Sequence, residues 1–231
     1  MKVYSLVSAI TFACISFSAY ASDFFNTEPT DKLFNLGLRL GVNASNKTFS
    51  HDYFREWNVN SWGTGFDAGV IFNINLRQYL TIQPGFFFES RSGHYSYIQS
   101  YINPAGEEDY FTQLGKSRAY YFNIPIMASI RFNLASSLKW LVEAGPYFQL
   151  KLHASDNEKI EVLTQSSSGD LTEGLASTKS VDAGLKFGTG LLISDHYSFS
   201  IHYLAGGRDV WKAPYNGGRN KAWTFTLGYD F

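Results

Sequence analysis

Residues 34–43 read FNLGLRLGVN, and this stretch decides the fold class because two chemical types of residue alternate along it. Large apolar residues occupy every second position from Phe34 to Val42, and the positions between them hold Asn, Gly or Arg. Successive side chains of a β-strand point to opposite faces, whereas a helix would scatter these residues around its axis. The stretch therefore predicts a strand with one apolar and one polar face.

The same two-residue period recurs along the chain and predicts seven further strands, eight in all. The further alternating segments are residues 62–74, 80–89, 120–132, 138–151, 181–193, 197–206 and 223–231. Short turns alternate with long polar connections near 44–61, 93–117, 154–179 and 207–221. That order is typical of barrels that cross a membrane. We expect an all-β, eight-stranded antiparallel up-and-down transmembrane β-barrel with short periplasmic turns and long extracellular loops.

The first 21 residues have the pattern of a secretory signal. Lys2 supplies a positive charge, residues 3–17 are largely apolar, and Ala19-Tyr20-Ala21 is a small-x-small cleavage site. The apolar stretch is shorter than the roughly 20 residues that a spanning helix needs. We expect a cleaved signal peptide at 1–21, a periplasmic N-terminal segment at 22–32 and the barrel at 33–231.

The only cysteine, Cys14, lies inside the predicted signal, so the expected mature chain has no thiol for a disulfide or a nucleophile. A lipoprotein beginning at Cys14 is the alternative, and the preceding Thr11-Phe12-Ala13 fits that alternative poorly. The formal net charge of -1 and the pI near 6.5 argue against a nucleic-acid partner.

Alternation alone does not say which face is inside, because a soluble ligand-binding barrel would turn its apolar face inward. Here the polar face is rich in Gly and carries both signs of charge, as the narrow interior of a membrane barrel does. Aromatic residues at strand ends predict girdles at the two lipid interfaces. The predicted girdle comprises Trp62, Tyr79, Tyr120, Trp140, Tyr197, Trp223 and Tyr229. We therefore expect the chain to lie in the outer membrane of a Gram-negative bacterium, in contact with the lipid bilayer and lipopolysaccharide.

On this interpretation charged residues of both signs face the lumen. The predicted lumen charge network comprises Arg39, Asp67, Glu89, Arg91, Arg131, Glu143, Lys151, Asp182 and Lys186, with Lys139 and Asp230 as further interior charges. Buried charges persist only when they are paired, and an eight-stranded barrel is just wide enough for its own side chains. The pattern predicts a plugged lumen without a continuous water path.

Three prolines, Pro84, Pro125 and Pro146, lie inside predicted strands, although proline cannot donate a hydrogen bond to a sheet. We expect them to mark bulges or local bends that help to curve the sheet.

Several sequence runs resemble the PorT-like outer-membrane β-barrel domain family over roughly residues 33–231. These runs are LGLRLGVN at 36–43, IQPG at 82–85, FNIPI at 122–126, VEAGPYF at 142–148, HYLAGG at 202–207 and TLGYDF at 226–231. The matching residues are structural, so the resemblance implies a fold rather than a chemistry. The terminal Phe231, together with Tyr229, is also similar to the signal that the outer-membrane assembly machinery recognises.

The sequence offers no diagnostic catalytic or metal-binding spacing. His51-Asp52, His94 and His153 lie in or near long loops with serines close by, as an enzyme acting on lipid A would need. No two of these histidines have the close spacing of a metal-ligand pair. We therefore expect no enzyme, metal or cofactor.

The loop near 93–117 is rich in tyrosine, which makes good contact surfaces on a rigid scaffold. The candidate contact residues are Tyr95, Tyr97, Tyr101 and Tyr110. These residues could equally pack the loops against one another.

The leading hypothesis is a non-enzymatic barrel that presents external loops for binding or for envelope integrity, with an extracellular or secretion-system protein as a further partner. A narrow channel or secretion-system accessory is the second hypothesis, and a lipid A-modifying enzyme is the third.

Overall fold

The computed structural model describes residues 24–47, 59–102, 104–162, 165–167, 179–210 and 218–231. At 59–60, 95–102, 108–115, 155–162 and 165–167 it describes the backbone alone. The predicted signal peptide at 1–21 lies outside these residues.

The described chain forms nine β-strands, eight of which close into one antiparallel barrel. Their bounds are β1 Phe34–Lys47, β2 Val59–Arg77, β3 Leu80–Ile102, β4 Glu108–Ala135, β5 Leu138–Val162, β6 Gln165–Ser167, β7 Val181–Ile193, β8 Tyr197–Gly206 and β9 Asn220–Asp230. The eight barrel strands pair in chain order, with β7 directly beside β5, and β9 pairs with β1 to close the barrel. Strand β6 is a three-residue addition that pairs with the far end of β5. The predicted fold class is confirmed. Among the described residues, no helix has the length and the apolar character needed to cross a membrane.

Three tight turns lie at one end of the barrel, between β2 and β3, between β4 and β5, and between β7 and β8. Ser194 and Asp195, in the last of these turns, have φ values of 52° and 60°. Positive φ at both central residues is the conformation of a type I′ hairpin turn. The start of β1 and the end of β9 lie at this same, periplasmic end.

The barrel wall is apolar outside and polar inside, the reverse of a soluble protein. Leu40 and Leu227 are 66% and 65% exposed. Asn73, Asn123 and Gln149 point inward and are fully buried. An outward apolar surface with internally satisfied backbone groups suits a hydrocarbon environment.

Strands β3, β4 and β5 are much longer than the roughly 9–11 residues that cross a bilayer. Pairing of β3 with β4 continues to Ile102 and Glu108, and pairing of β4 with β5 continues to Phe111 and Val162. The segment near 93–117, expected as a loop, is therefore mostly a strand hairpin. Period-two alternation is weak in this segment, so the sequence pattern could not reveal it. We call the part beyond Ser92, Arg118 and Ser155, together with β6, the projecting sheet.

The three prolines lie within continuous strands, and the expected bulges form elsewhere. The register of β3 with β4 is the same on both sides of Pro84, and that of β4 with β5 is the same on both sides of Pro125. Pro146 lies in the unbroken register of β5 with β7. Register shifts occur instead between Trp62 and Asp67, Asn75 and Arg77, Tyr120 and Tyr121, and Asn133 and Ala135. Beside Pro84 and Pro125 the ladder misses two residue pairs and then resumes, because a missing N–H removes a hydrogen bond without inserting a residue.

Candidate functional site

The lumen near the periplasmic end holds a charge pair between the first and last strands. Arg39 Nη2 of β1 lies 2.8 Å from Asp230 Oδ1 of β9. Asn73 Nδ2 donates to the same carboxylate oxygen at 3.1 Å, and Gln83 Nε2 donates to Asn73 Oδ1 at 2.8 Å. The carboxylate thus joins side chains from four strands across the lumen.

A second network lies further toward the outer end. Glu89 forms an ion pair with Arg91 on the same strand and accepts a hydrogen bond of 2.6 Å from Asn123 Nδ2. The Arg91 guanidinium lies 5.5 Å from the ring centroid of Tyr121, a distance typical of a cation–π contact. Asp67 accepts a long hydrogen bond of 3.4 Å from Asn43 Nδ2.

The carboxylate of Asp182 is held by neutral donors. Tyr147 Oη donates to Asp182 Oδ2 at 2.9 Å, and Asn220 Nδ2 donates to the same oxygen at 2.7 Å. The backbone N–H of Ala183 donates to Oδ1 at 2.9 Å. Three donors can satisfy a buried carboxylate without a paired cation.

A cavity of about 40 Å³ lies among the inward side chains. The Lys186 ammonium lines it, 5.2 Å from the ring centroid of Phe87, and is only 5% exposed. His202 Nε2 lies 2.8 Å from Glu143 Oε2 on another wall, while His202 Nδ1 has no hydrogen-bond partner in the described part of the chain. A hydrolytic triad would need a serine hydroxyl at that free nitrogen. The described geometry therefore lacks the hydrogen bond that would activate a nucleophile.

The cavity also has an apolar side that the sequence reasoning missed. Ile71, Phe87, Met127 and Leu141 point inward from four strands and are buried. A signal was present: the polar face is interrupted wherever three apolar residues follow one another, as in 70–72, 86–88 and 140–142. The lumen is consequently a mixed polar and apolar core.

The other predicted lumen residues lie nearer the barrel ends. Arg131 and Lys151 are half-buried. Lys139 lies on the inward face of β5 at the rim of the barrel, directly opposite the buried Leu192. Its Nζ lies 2.5 Å from Oδ1 of the exposed Asp195 in the turn between β7 and β8. Lys139 lies one residue inside its strand, where the wall gives way to the turns.

The predicted girdle residues fall into two bands on the outer wall. Trp62, Tyr120 and Trp223 lie toward the outer end, where Trp223 lies 4.8 Å from Tyr203 between ring centroids. The remaining girdle residues, Tyr79, Trp140, Tyr197 and Tyr229, lie toward the periplasmic end.

The periplasmic band is extended by Phe231 and by the segment that precedes β1. The ring of Phe231 lies 5.1 Å from that of Tyr229, and the backbone N–H of Phe231 donates to the Leu36 carbonyl at 2.9 Å. Phe25, from the segment before β1, lies 4.2 Å from Tyr79 between ring centroids.

The remaining predicted residues belong to the outer end. The positions of Tyr95, Tyr97, Tyr101 and Tyr110 lie in the projecting sheet, and their side chains are outside the described residues. His94 and His153 are exposed on the outer wall, and His51 lies outside the described ranges. The described residues contain no group of three or more His, Cys, Asp or Glu side chains placed to hold a metal ion.

The chain is similar to several solved structures and to one family model. Among solved structures, the chain is similar to Ail, the attachment invasion locus protein of Yersinia pestis, with 11% identity, 87% of this chain and 100% of that chain covered, and a TM-score of 0.38. It is also similar to the outer membrane protein OprG of Pseudomonas aeruginosa, with 9% identity, coverage of 90% and 98%, and a TM-score of 0.45. Neisserial surface protein A matches with 10% identity, coverage of 85% and 97%, and a TM-score of 0.43.

No curated protein matches the chain. The family model described as outer membrane protein beta-barrel domain matches residues 21–210, which is most of the chain. The chain therefore belongs to the outer membrane protein beta-barrel domain family and lies in the outer membrane of a Gram-negative bacterium.

Proposed function

We propose that this barrel is a non-enzymatic scaffold with a plugged lumen, which presents its projecting sheet outside the cell for binding or for envelope integrity. The observation that carries the proposal is the continued pairing of β3, β4 and β5 far beyond the outer aromatic band. Ser92–Ile102 and Arg118–Glu108 form eleven consecutive pairs. At about 3.3 Å per residue they extend roughly 35 Å along the strand.

The networks across the lumen support a plugged barrel. Arg39, Glu89 and Asp182 each anchor a group of hydrogen-bonded side chains drawn from several strands. The cavity among them, of about 40 Å³, has room for only a few water molecules. An eight-stranded barrel has an interior that its own side chains can fill.

The projecting sheet supports a contact role because a paired β-sheet holds its residues in one arrangement. Tyr95, Tyr97 and Tyr101 occupy alternate positions of β3, so they share one face of the hairpin. Tyrosine supplies large contact area at low conformational cost. The partner of this face would be an extracellular or secretion-system protein.

We further propose a route by which the chain reaches the outer membrane. Residues 1–21 would act as a cleaved signal peptide, and Phe231 with Tyr229 would be recognised by the outer-membrane assembly machinery. In the membrane the apolar wall would meet the lipid bilayer and lipopolysaccharide. Within its family, the chain would belong to the narrower PorT-like group, on the sequence runs quoted above.

Excision of the projecting hairpin tests the proposal. His94 and Lys116 are directly opposite in β3 and β4, so Asn-Gly can replace residues 95–115 and close a two-residue hairpin there. We expect the variant to fold, with a gel band that shifts on boiling, and to fail to restore detergent resistance to a deletion strain. A matched variant that keeps the hairpin but carries serine at 95, 97, 101 and 110 separates the tyrosines from the hairpin itself. Full restoration of detergent resistance by the variant that lacks the hairpin would contradict the proposal.

A narrow channel is the second candidate, and the observation that favours it is a set of unpartnered polar atoms inside the barrel. Gln149 Nε2 and Oε1, Arg91 Nη1 and His202 Nδ1 are buried without hydrogen-bond partners in the described residues. Single-channel recording in planar bilayers distinguishes the two candidates. The plugged barrel should give no ion-sized conductance steps, and reproducible steps would favour the channel.

A further inference from the structure

Four basic residues lie together on the outer wall of β3, β4 and β5. Lys116 is directly opposite His94, and Tyr120 is directly opposite His153. Arg118 lies between Lys116 and Tyr120 on the same face of β4. His94, Lys116, Arg118 and His153 are all exposed, and we call them the outer-wall basic cluster.

The cluster begins where the lipid-facing wall ends. It shares a face with Phe88 and Tyr120, whose rings stack at 5.8 Å between centroids in the outer aromatic band. Arg118 and Lys116 are two and four positions further out, roughly 7 and 13 Å along the tilted strand. Aromatic bands sit at the level of lipid headgroups. The cationic side chains therefore lie at, or just beyond, that level.

The positive charge of the cluster is not compensated within the described part of the protein. Unlike Arg39 or Lys139, neither Lys116 nor Arg118 forms an ion pair or side-chain hydrogen bond among the described residues. The acidic positions nearest in register, Asp156 and Glu158, are opposite Ser117 and Gly115. Those positions alternate with Arg118 and Lys116, so they belong to the other face of the sheet.

We propose that the outer-wall basic cluster binds the phosphate groups of lipid A, the phosphorylated glycolipid of the outer leaflet. Arginine binds phosphate with two parallel N–H donors, and lysine reaches a headgroup while its stem stays on the apolar wall. The lipid tails would lie along the exposed apolar surface that continues below Tyr120. This inference deepens the lipid contact of the proposed function, and rests on its outward orientation but not on any partner of the projecting sheet.

The test is binding of lipid A to the purified, refolded barrel, measured by native mass spectrometry. Lys116→Gln/Arg118→Gln should bind lipid A about 30-fold more weakly, since each surface Lys or Arg contributes about fivefold to anionic lipid binding. The control Lys32→Gln/Arg77→Gln removes two exposed cations near the periplasmic end and should bind like the wild type. Each variant is first checked for a gel band that shifts on boiling.

Two further measurements keep the proposal falsifiable. The wild-type barrel should bind lipid A whose phosphates have been removed more weakly than intact lipid A, by a similar factor. This comparison needs no variant to fold. The barrel with 95–115 excised should keep lipid A binding, because His94, Lys116, Arg118 and His153 remain. Equal binding by the double variant, or equal binding of dephosphorylated lipid A by the wild type, would overturn the proposal. A failed role for the projecting sheet would leave these results unchanged.

Discussion

The ion pair between Glu89 and Arg91 shows what a buried charge requires at the scale of single residues. The two residues are 1% and 5% exposed, and Arg91 Nε and Nη1 already have no partner among the described residues. Glu89→Gln should lower the free energy of unfolding by about 3–5 kcal/mol, because it leaves a buried guanidinium without its carboxylate. Urea unfolding of the refolded barrel, followed by tryptophan fluorescence, measures the change.

A double-mutant cycle isolates the pair itself. Glu89→Gln/Arg91→Gln should cost clearly less than the sum of the two single changes, because neither charge is then left alone. Lys139→Gln, which breaks the exposed pair with Asp195, should cost less than about 1 kcal/mol. Additive effects of the Glu89 and Arg91 changes, within about 0.5 kcal/mol, would show that the ion pair contributes nothing.

At the scale of elements, β4 and β5 approach so closely beside the prolines that only glycine fits. A Cβ added to Gly145 would lie 2.0 Å from the carbonyl oxygen of Ile126. Gly145→Ala should therefore destabilise the barrel by about 1–3 kcal/mol or prevent its closure, since backbone must move to make room. Gly93→Ala is the matched control, because the nearest atom to its added Cβ is 3.6 Å away. The fraction of heat-modifiable protein after refolding measures both, and equal yields would refute the steric argument.

At the scale of the whole molecule, the barrel closes between its first and last strands. Eleven residue pairs, from Gly37–Asp230 to Lys47–Asn220, join β1 to β9. The ring of Phe231 is 56% exposed on the wall, so few internal contacts depend on it. Phe231→Ser should consequently refold in detergent with nearly wild-type stability.

If the assembly machinery recognises Phe231, less of this variant should accumulate as folded protein in the outer membrane of cells than of the wild type. Phe225→Ser, another exposed aromatic of β9, is the control for general loss of lipid contact. The amount of heat-modifiable protein in the membrane fraction compares the two. Equal accumulation of both variants would argue against a terminal assembly signal.

Much of the architecture could be predicted because it rests on local alternation. Phe34 to Val42 and the later segments identified the eight barrel strands, their order and their outward apolar face. The inward apolar residues Ile71, Phe87, Met127 and Leu141 were missed because a single apolar residue on the polar face leaves the two-residue period of its strand recognisable. The projecting hairpin was missed because strands paired outside the lipid need no apolar face.

The sequence by itself determined the closed antiparallel barrel and which of its ends carries the short turns. A period of two and alternating connection lengths are properties of neighbouring residues. Only the tertiary structure decided which interior charges meet. Arg39 and Asp230, which form an ion pair, are 191 residues apart in the chain. Asp182 of β7 accepts hydrogen bonds from Tyr147 of β5 and from Asn220 of β9. Such contacts depend on the stagger between strands and on how side chains fill the lumen, and both are set by the register of the whole barrel.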